Sequence, residues 1–134
     1  MMISTKGRYA LRIMLDLAQN EHKGYVSVSD VSSRQGISVK YLETIVSILN
    51  RAGFVESMRG KNGGYKLTKK TTEYTVGSVL KLTEGSLAPV NCLQQGSNKC
   101  AKEKVCLTLP IWVNLDKIVD DYLESVTLYD LLNQ

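Results

Sequence analysis

The residues with the clearest potential for chemistry are three cysteines, Cys92, Cys100 and Cys106, which lie within fifteen residues of one another. The other residues of the 134-residue chain include no cysteine. An odd number of thiols in a chain without an export signal argues against a disulfide framework. Thiolates are preferred ligands of iron–sulfur clusters and soft metals, so the sequence favours a cluster site. The gaps of seven and then five residues differ from the Cys-x2-Cys pairs of common zinc sites. Three inert thiols and a thiol redox switch are the alternatives.

The elements around the cysteines are predicted to be a loop and a long helix. Residues 86–104 are rich in Gly, Ser, Asn, Gln and Lys, which is typical of a loop. Pro110 stands where the first turn of a helix tolerates proline, and that helix is predicted to end the fold. Its apolar stripe has no obvious partner within the chain, so we expect a homodimer formed through this helix. The stripe contains Leu115, Ile118, Val119 and Tyr122.

Charge is unevenly distributed along the chain. Residues 1–70 contain twelve Lys or Arg and five Asp or Glu, a net charge of +7, whereas residues 71–134 contain five and eight, a net charge of −3. Local basic excess of this kind is typical of a surface that binds nucleic acid. The alternative is an ordinary solvated face with surplus lysines.

The basic half has the pattern of a helix-turn-helix. One helix is predicted from Thr5 to Asn20, and a short second helix from Ser27 to about Gln35. Gly36 can adopt the left-handed conformation that ends the second helix, and Ser38 can cap a third. Two short helices joined through glycine are what this motif requires, because the second helix must enter the major groove.

A β-hairpin is predicted after the third helix. Residues 54–59 and 65–68 are strand candidates on either side of the glycine-rich tip 60–64, and together they predict a basic wing. The tip lacks the Gly-Lys-Ser/Thr ending of a nucleotide-binding loop and leads into a strand, so we reject a nucleotide site. A further helix is predicted over residues 75–83.

The chain is therefore expected to be mainly α with a small β-wing, in three parts. Residues 1–85 form a winged helix-turn-helix domain, residues 86–109 a cysteine-containing cluster-binding loop, and residues 110–134 the dimerisation helix and tail. No apolar run is long enough to span a membrane, and the basic N-terminus lacks a cleavage site, so we expect a cytoplasmic protein that does not bind membranes. One histidine, His22, and no acid–base constellation argue against an enzyme.

Five motifs together resemble a known family. They are Ser4-Thr5-Lys6-Gly7-Arg8-Tyr9-Ala10, Arg34-Gln35-Gly36-Ile37-Ser38, Tyr41-Leu42-Glu43, Arg59-Gly60-Lys61-Asn62-Gly63-Gly64-Tyr65 and Cys106-Leu107-Thr108. Nearly the whole chain resembles the Rrf-two family of winged helix-turn-helix regulators, and the three cysteines resemble its iron–sulfur cluster regulator (IscR) branch. The resemblance implies a homodimer that binds double-stranded operator DNA and changes its affinity with the state of a cluster.

The resemblance also implies roles for individual residues. The recognition-helix positions are occupied by Ser38, Lys40, Tyr41, Glu43 and Thr44. Arg59 is expected to enter the minor groove, and the other wing residues at the DNA are Lys61, Gly63, Gly64 and Tyr65. The cluster, 2Fe-2S as first choice and 4Fe-4S as second, would be bound by the three cysteines and would set operator affinity.

Two features depart from the family pattern: the fourth ligand is missing, and the first cysteine gap is two residues longer than in IscR. Leu109 stands where IscR has a histidine as fourth ligand, and its side chain cannot bind iron. Arg8 stands where nitric-oxide-sensing relatives use an acidic residue, so the fourth ligand stays open. The alternatives to a cluster sensor are a cluster-free repressor, like the cysteine-metabolism branch of the family (CymR), and a thiol-based redox switch.

Overall fold

The first three helices form the helix-turn-helix that the pattern predicts. The computed structural model describes residues 2–94 and 104–134. Helix α1 spans Thr5–Gln19, α2 spans Val28–Gln35 and α3 spans Val39–Arg51. The predicted caps are present: Ser27 Oγ accepts from the Asp30 amide at 3.1 Å, and Ser38 Oγ accepts from the Tyr41 amide at 3.2 Å. Gly36 ends α2 with φ +67°, a conformation that glycine adopts without steric cost.

Helix α1 is the central element of the core because its apolar stripe contacts α3, α4 and the C-terminal segment. The burial follows the helical period that the sequence predicts. The largest fully buried side chains include Ile13, Met14, Leu17, Leu42, Ile45, Leu49, Tyr74, Val79 and Leu128.

A buried carboxylate attaches α1 to α2. Asp16 is 2% exposed, and it accepts from Arg34 Nε at 3.0 Å, from Arg34 Nη2 at 2.8 Å and from Gln35 Nε2 at 2.8 Å. These bonds raise the pKa of Arg34 above its ordinary value, chiefly through the hydrogen bond to Asp16. A two-bonded guanidinium–carboxylate pair has a defined geometry, so it sets the angle at which α2 leaves α1.

The wing consists of strands β1, Val55–Met58, and β2, Gly64–Leu67, which pair antiparallel. Val26 pairs with the other edge of β2 at a single position, where it exchanges two backbone hydrogen bonds of 2.9 Å with Tyr65. A Cβ on Gly63 would overlap the Met58 carbonyl oxygen, and one on Gly64 would overlap that of Val26. The backbone of the wing itself therefore requires both glycines.

The C-terminal part differs from the single long helix that the sequence predicts. Helix α4 is Val76–Glu84, close to the prediction, and α5 is Leu109–Ser125. A further short helix, α6, follows at Leu128–Leu132. The expectation that the long helix ends the fold is therefore wrong, because Thr127 caps a new helix whose first residue, Leu128, is fully buried.

The tail returns to the winged domain through backbone hydrogen bonds. The Val76 amide donates to the Val126 carbonyl at 2.8 Å, and the Leu128 amide donates to the Tyr74 carbonyl at 3.0 Å. The predicted mainly helical fold with a two-stranded wing and a long C-terminal helix is confirmed. Within the described ranges, no helix is both long and apolar enough to cross a bilayer.

Leu128→Ala is expected to lower the free energy of unfolding by about 2–5 kcal/mol, because it leaves a cavity in the core. Leu107→Ala is the matched control, since Leu107 is almost fully exposed and its truncation should cost less than about 0.5 kcal/mol. Urea unfolding at one fixed protein concentration measures both. Equal effects would show that the tail is not part of the core.

Candidate nucleic-acid interface and cysteine segment

The outer face of α3 presents polar side chains to solvent. Lys40, Glu43 and Thr44 are all exposed and follow each other at helical spacing, so they form one surface opposite the buried stripe. Among the described residues, neither Lys40 nor Glu43 has an ion-pair partner. A cation and a carboxylate that are unpaired and adjacent can each bind a nucleic-acid group without first breaking an internal contact.

The other predicted recognition residues have internal contacts. The Ser38 oxygen caps α3, and the Thr44 hydroxyl donates to the Lys40 carbonyl at 3.1 Å. Tyr41 is half-buried and meets Tyr9 of α1 edge to face, with ring centroids 5.8 Å apart. Tyr41 therefore connects α3 to α1 in addition to its predicted place at the DNA.

The wing tip presents two cations. Arg59 and Lys61 are exposed beside a turn in which the Gly63 amide donates to the Gly60 carbonyl at 3.1 Å. By contrast, Lys66 forms an ion pair with Glu56 at 3.3 Å and lies 4.7 Å from the ring centroid of Tyr25.

Residues at the base of the wing contact the rest of the domain. Lys69 Nζ lies 5.6 Å from the ring centroid of Phe54. The half-buried Tyr65 belongs to the predicted DNA surface and also pairs with the domain through Val26. The charge that the wing offers to DNA is therefore concentrated at Arg59 and Lys61.

Two of the three cysteines lie in the part of the chain that the structure describes. Cys92 is exposed in the short 3-10 turn Asn91–Leu93, and Cys106 is half-buried just before α5, with its Sγ 3.4 Å from Thr108 Oγ1. Cys100 lies outside the described residues. Leu109, the first residue of α5, offers no donor atom.

The donor chemistry fits a thiolate-bound cluster more closely than other metal sites. Cys92 and Cys106, the two thiols in the described ranges, are both accessible and lie on the same connection between α4 and α5. Residues 2–94 and 104–134 contain no group of three or more His, Cys, Asp or Glu side chains that could hold a metal ion without Cys100.

The cysteine segment, which is the connection between α4 and α5, begins beside the start of α1. Glu84, the last residue of α4, accepts from the Ser4 amide at 3.0 Å and from the Ser4 hydroxyl. Ser4 is itself the cap of α1. Residues 86–91 and Gln94 line a cavity of about 190 Å³ together with Met2 and Ile3. Residues on both sides of Cys92 thus share a cavity with the two residues that precede the N-cap of α1.

Helix α5 has one face on α4 and one face in solvent. Lys81 of α4 forms ion pairs with Asp120 at 2.6 Å and Glu124 at 2.9 Å, and hydrogen bonds to these carboxylates raise its pKa. Ile118 and Tyr122 are exposed on the other side. Of the other predicted dimer residues, Leu115 is half-buried, and Val119 lines a cavity of about 490 Å³ between α4 and α5.

Two positioning residues were missed by the sequence reasoning. Asp16 could have been noticed, because a carboxylate interrupts the apolar stripe of α1 between Ile13 and Leu17. Glu84 carries no such signal, since an acidic residue at a helix end is ordinary on a surface.

Comparison with known proteins agrees with this geometry. The model of the Rrf2 family, described as an iron-dependent transcriptional regulator, matches residues 3–134. The HTH-type transcriptional regulator IscR of Erwinia tasmaniensis is 41% identical over 133 residues, which cover 99% of this chain and 79% of that protein.

Two solved structures have the same fold. T. potens IscR superposes with a TM-score of 0.78 at 32% identity, covering 99% of this chain and 87% of that one. CymR, the global cysteine regulator of B. subtilis, superposes with a TM-score of 0.78 at 35% identity, covering 98% of this chain and 95% of that one. The chain therefore belongs to the Rrf2 family, as an IscR-like, DNA-binding transcription regulator and not an enzyme.

Proposed function

We propose that this regulator is a cytoplasmic homodimer that senses iron–sulfur cluster status through a cluster bound by Cys92, Cys100 and Cys106. The observation that carries the proposal is that all three thiols belong to the connection between α4 and α5. This connection begins with residues that line a cavity with Met2 and Ile3, and it ends at α5. Genes for cluster biogenesis are the expected targets. When bound, the cluster supplies a redox-sensitive and iron-sensitive cross-link of this segment.

We propose a 2Fe-2S cluster as first choice and a 4Fe-4S cluster as second. Three thiols leave one ligand position to be filled, and Leu109 cannot fill it. That fourth position is either filled by a carboxylate or a small molecule or left open on the iron. An open position would make the cluster more labile than one with four protein ligands, which suits a sensor of supply.

At the DNA, the basic half of the chain provides affinity and α3 provides sequence selection. Arg59 and Lys61 contact the phosphate backbone and the minor groove, and Lys40 contacts a phosphate or a guanine edge. Glu43 accepts from the amino group of a cytosine, while its charge repels phosphates. The carboxylate therefore adds selectivity and lowers affinity.

The connection between the two sites runs through α1. Residues 86–91 and Gln94 line one cavity with Met2 and Ile3. Glu84 accepts from the N-cap residue of α1, and Tyr9 of α1 contacts Tyr41 of α3. Ordering of the cysteine segment changes operator affinity to the extent that it favours one placement of α1 against α3.

The dimer forms through the solvent face of α5. Ile111, Ile118 and Tyr122 are exposed there, on the side of the helix away from the ion pairs to α4. In a two-fold symmetric dimer, the same stripe of each subunit would be buried against its copy in the partner.

The second candidate is a cluster-free or thiol-switched regulator of the CymR type. It is favoured by Leu109, which removes the fourth ligand, and by the likeness to CymR over nearly all of both chains. Its chemistry would be the reversible oxidation of the exposed Cys92 thiol.

The triple substitution of Cys92, Cys100 and Cys106 by Ala is expected to abolish iron and acid-labile sulfide, because it removes the three ligands that the proposal assigns. Wild type purified without air should be coloured, and its operator affinity should differ at least about fivefold with and without the cluster. The triple variant should show one affinity in both conditions. Iron and sulfide analysis, visible spectra and DNA titration measure these outcomes.

His22→Ala is the control for the cluster, because His22 is exposed in the turn after α1 and should leave the iron content unchanged. Colourless wild type that binds its operator fully would refute the cluster. If the operator affinity of iron-free protein changes with peroxide and is restored by dithiothreitol, the thiol switch is established.

Arg59→Ala is expected to weaken operator binding about tenfold, because one cation contact is lost in each subunit. The negative slope of log affinity against log salt concentration should become less steep by about one for each subunit. Lys117→Ala should change neither, since Lys117 is paired with Asp121 on α5. Titrations at several salt concentrations measure both slopes. An unchanged slope for Arg59→Ala would remove the wing tip from the interface.

Ile118→Asp is expected to convert the dimer to a monomer at micromolar concentration, because it places a carboxylate in each copy of an apolar stripe. Lys117→Gln, on another side of the same helix, should leave the dimer intact. Sedimentation velocity distinguishes the two species. A dimeric Ile118→Asp protein would locate the interface elsewhere.

A further inference from the structure

Val39 is an apolar side chain on a surface that is otherwise polar. It is the first residue of α3 and is 44% exposed. Other apolar residues of the same helix face the core, among them Leu42, Ile45, Val46 and Leu49. Core packing therefore does not account for a branched apolar residue at this position.

The helix start does not account for Val39 either. Ser38 already caps α3, and the first turn contains no acidic residue that would stabilise the amide end of the helix. A β-branched residue in a helix loses side-chain freedom, so Val39 adds no helix propensity.

Val39 lies beside the residues assigned to base reading. Lys40 is the next residue, and Glu43 is one turn further on the same side, where side chains four residues apart are neighbours. In helix-turn-helix proteins, the N-terminal residues of the recognition helix contact base edges. Val39 thus occupies the part of α3 that approaches the bases most closely.

The isopropyl group of Val39 can select a base in only one way. It has no hydrogen-bond donor or acceptor, and the one apolar group that bases present in the major groove is the C5-methyl of thymine. We propose that Val39 contacts a thymine methyl in each half-site, within about two base pairs of the cytosine assigned to Glu43. This inference rests on the proposed entry of α3 into the major groove.

The test compares thymine with deoxyuridine, which lacks only the methyl group. Wild-type protein first selects duplexes from a random-sequence pool, and the selected duplex is then made with deoxyuridine at one thymine at a time. At one thymine position in each half-site, wild type should lose about three- to fivefold in affinity. Val39→Ala should lose less than twofold at that position and bind both duplexes with nearly equal affinity.

Val113→Ala is the matched control, because Val113 is 45% exposed on α5, far along the chain from α3. It should keep the wild-type ratio between thymine and deoxyuridine. Val39→Thr keeps the shape of the side chain but replaces one of its two methyl groups by a hydroxyl group. Its ratio between thymine and deoxyuridine should lie between those of wild type and Val39→Ala.

The inference is overturned if Val39→Ala keeps the wild-type ratio at every thymine, if Val113→Ala changes the ratio equally, or if the selected sequence contains no thymine beside the Glu43 position. Glu43→Ala separates this failure from a failure of the proposed interface. If Glu43→Ala broadens the selected sequence while Val39→Ala changes nothing, α3 reads DNA without Val39. If neither substitution alters selection, α3 is not the reading element.

Discussion

The position of the recognition helix depends on one buried carboxylate. Asp16 lies inside the apolar stripe of α1 and is bonded to Arg34 and Gln35 at the end of α2, one residue before the turn that leads to α3. Asp16 is buried while Arg34 is 35% exposed, so removing Arg34 would leave the buried carboxylate without its cationic partner. The bidentate geometry excludes the small rotations that apolar packing alone would permit. The angle of the helix-turn-helix is thus determined by hydrogen bonds, while the core around it supplies the stability.

Helix α1 connects parts of the molecule that are distant in sequence. Its N-cap is bonded to Glu84, its ring at Tyr9 contacts the recognition helix, and its apolar stripe packs against α4 and the C-terminal tail. Because a packed core has few voids, α1 is a stiff connection between Glu84 and the recognition helix.

The same scaffold serves relatives with different chemistry. The chain resembles T. potens IscR and B. subtilis CymR to the same degree in structure, with a TM-score of 0.78 in both comparisons. Three thiols favour the cluster branch, and Leu109 removes the usual fourth ligand. A fold of this kind requires only that the connection can exist in two states with different contacts to α1. Which ligand or oxidant produces those states depends on donor atoms, and not on the fold.

The local elements of this protein were determined by the sequence alone. The caps at Ser27 and Ser38, the turn at Gly36 and the apolar stripe of α3 act within a few residues, so their periodicity and chemistry predicted the helices nearly to the residue. The basic half, the helix-turn-helix pattern and the resemblance of five motifs to a known family likewise predicted a DNA-binding regulator. Only the tertiary structure decided that Asp16 meets Arg34 and that Lys66 is already paired with Glu56. It also decided that the tail folds back through Leu128. These contacts join residues far apart in the chain, and their partners are chosen by packing geometry that no local pattern records.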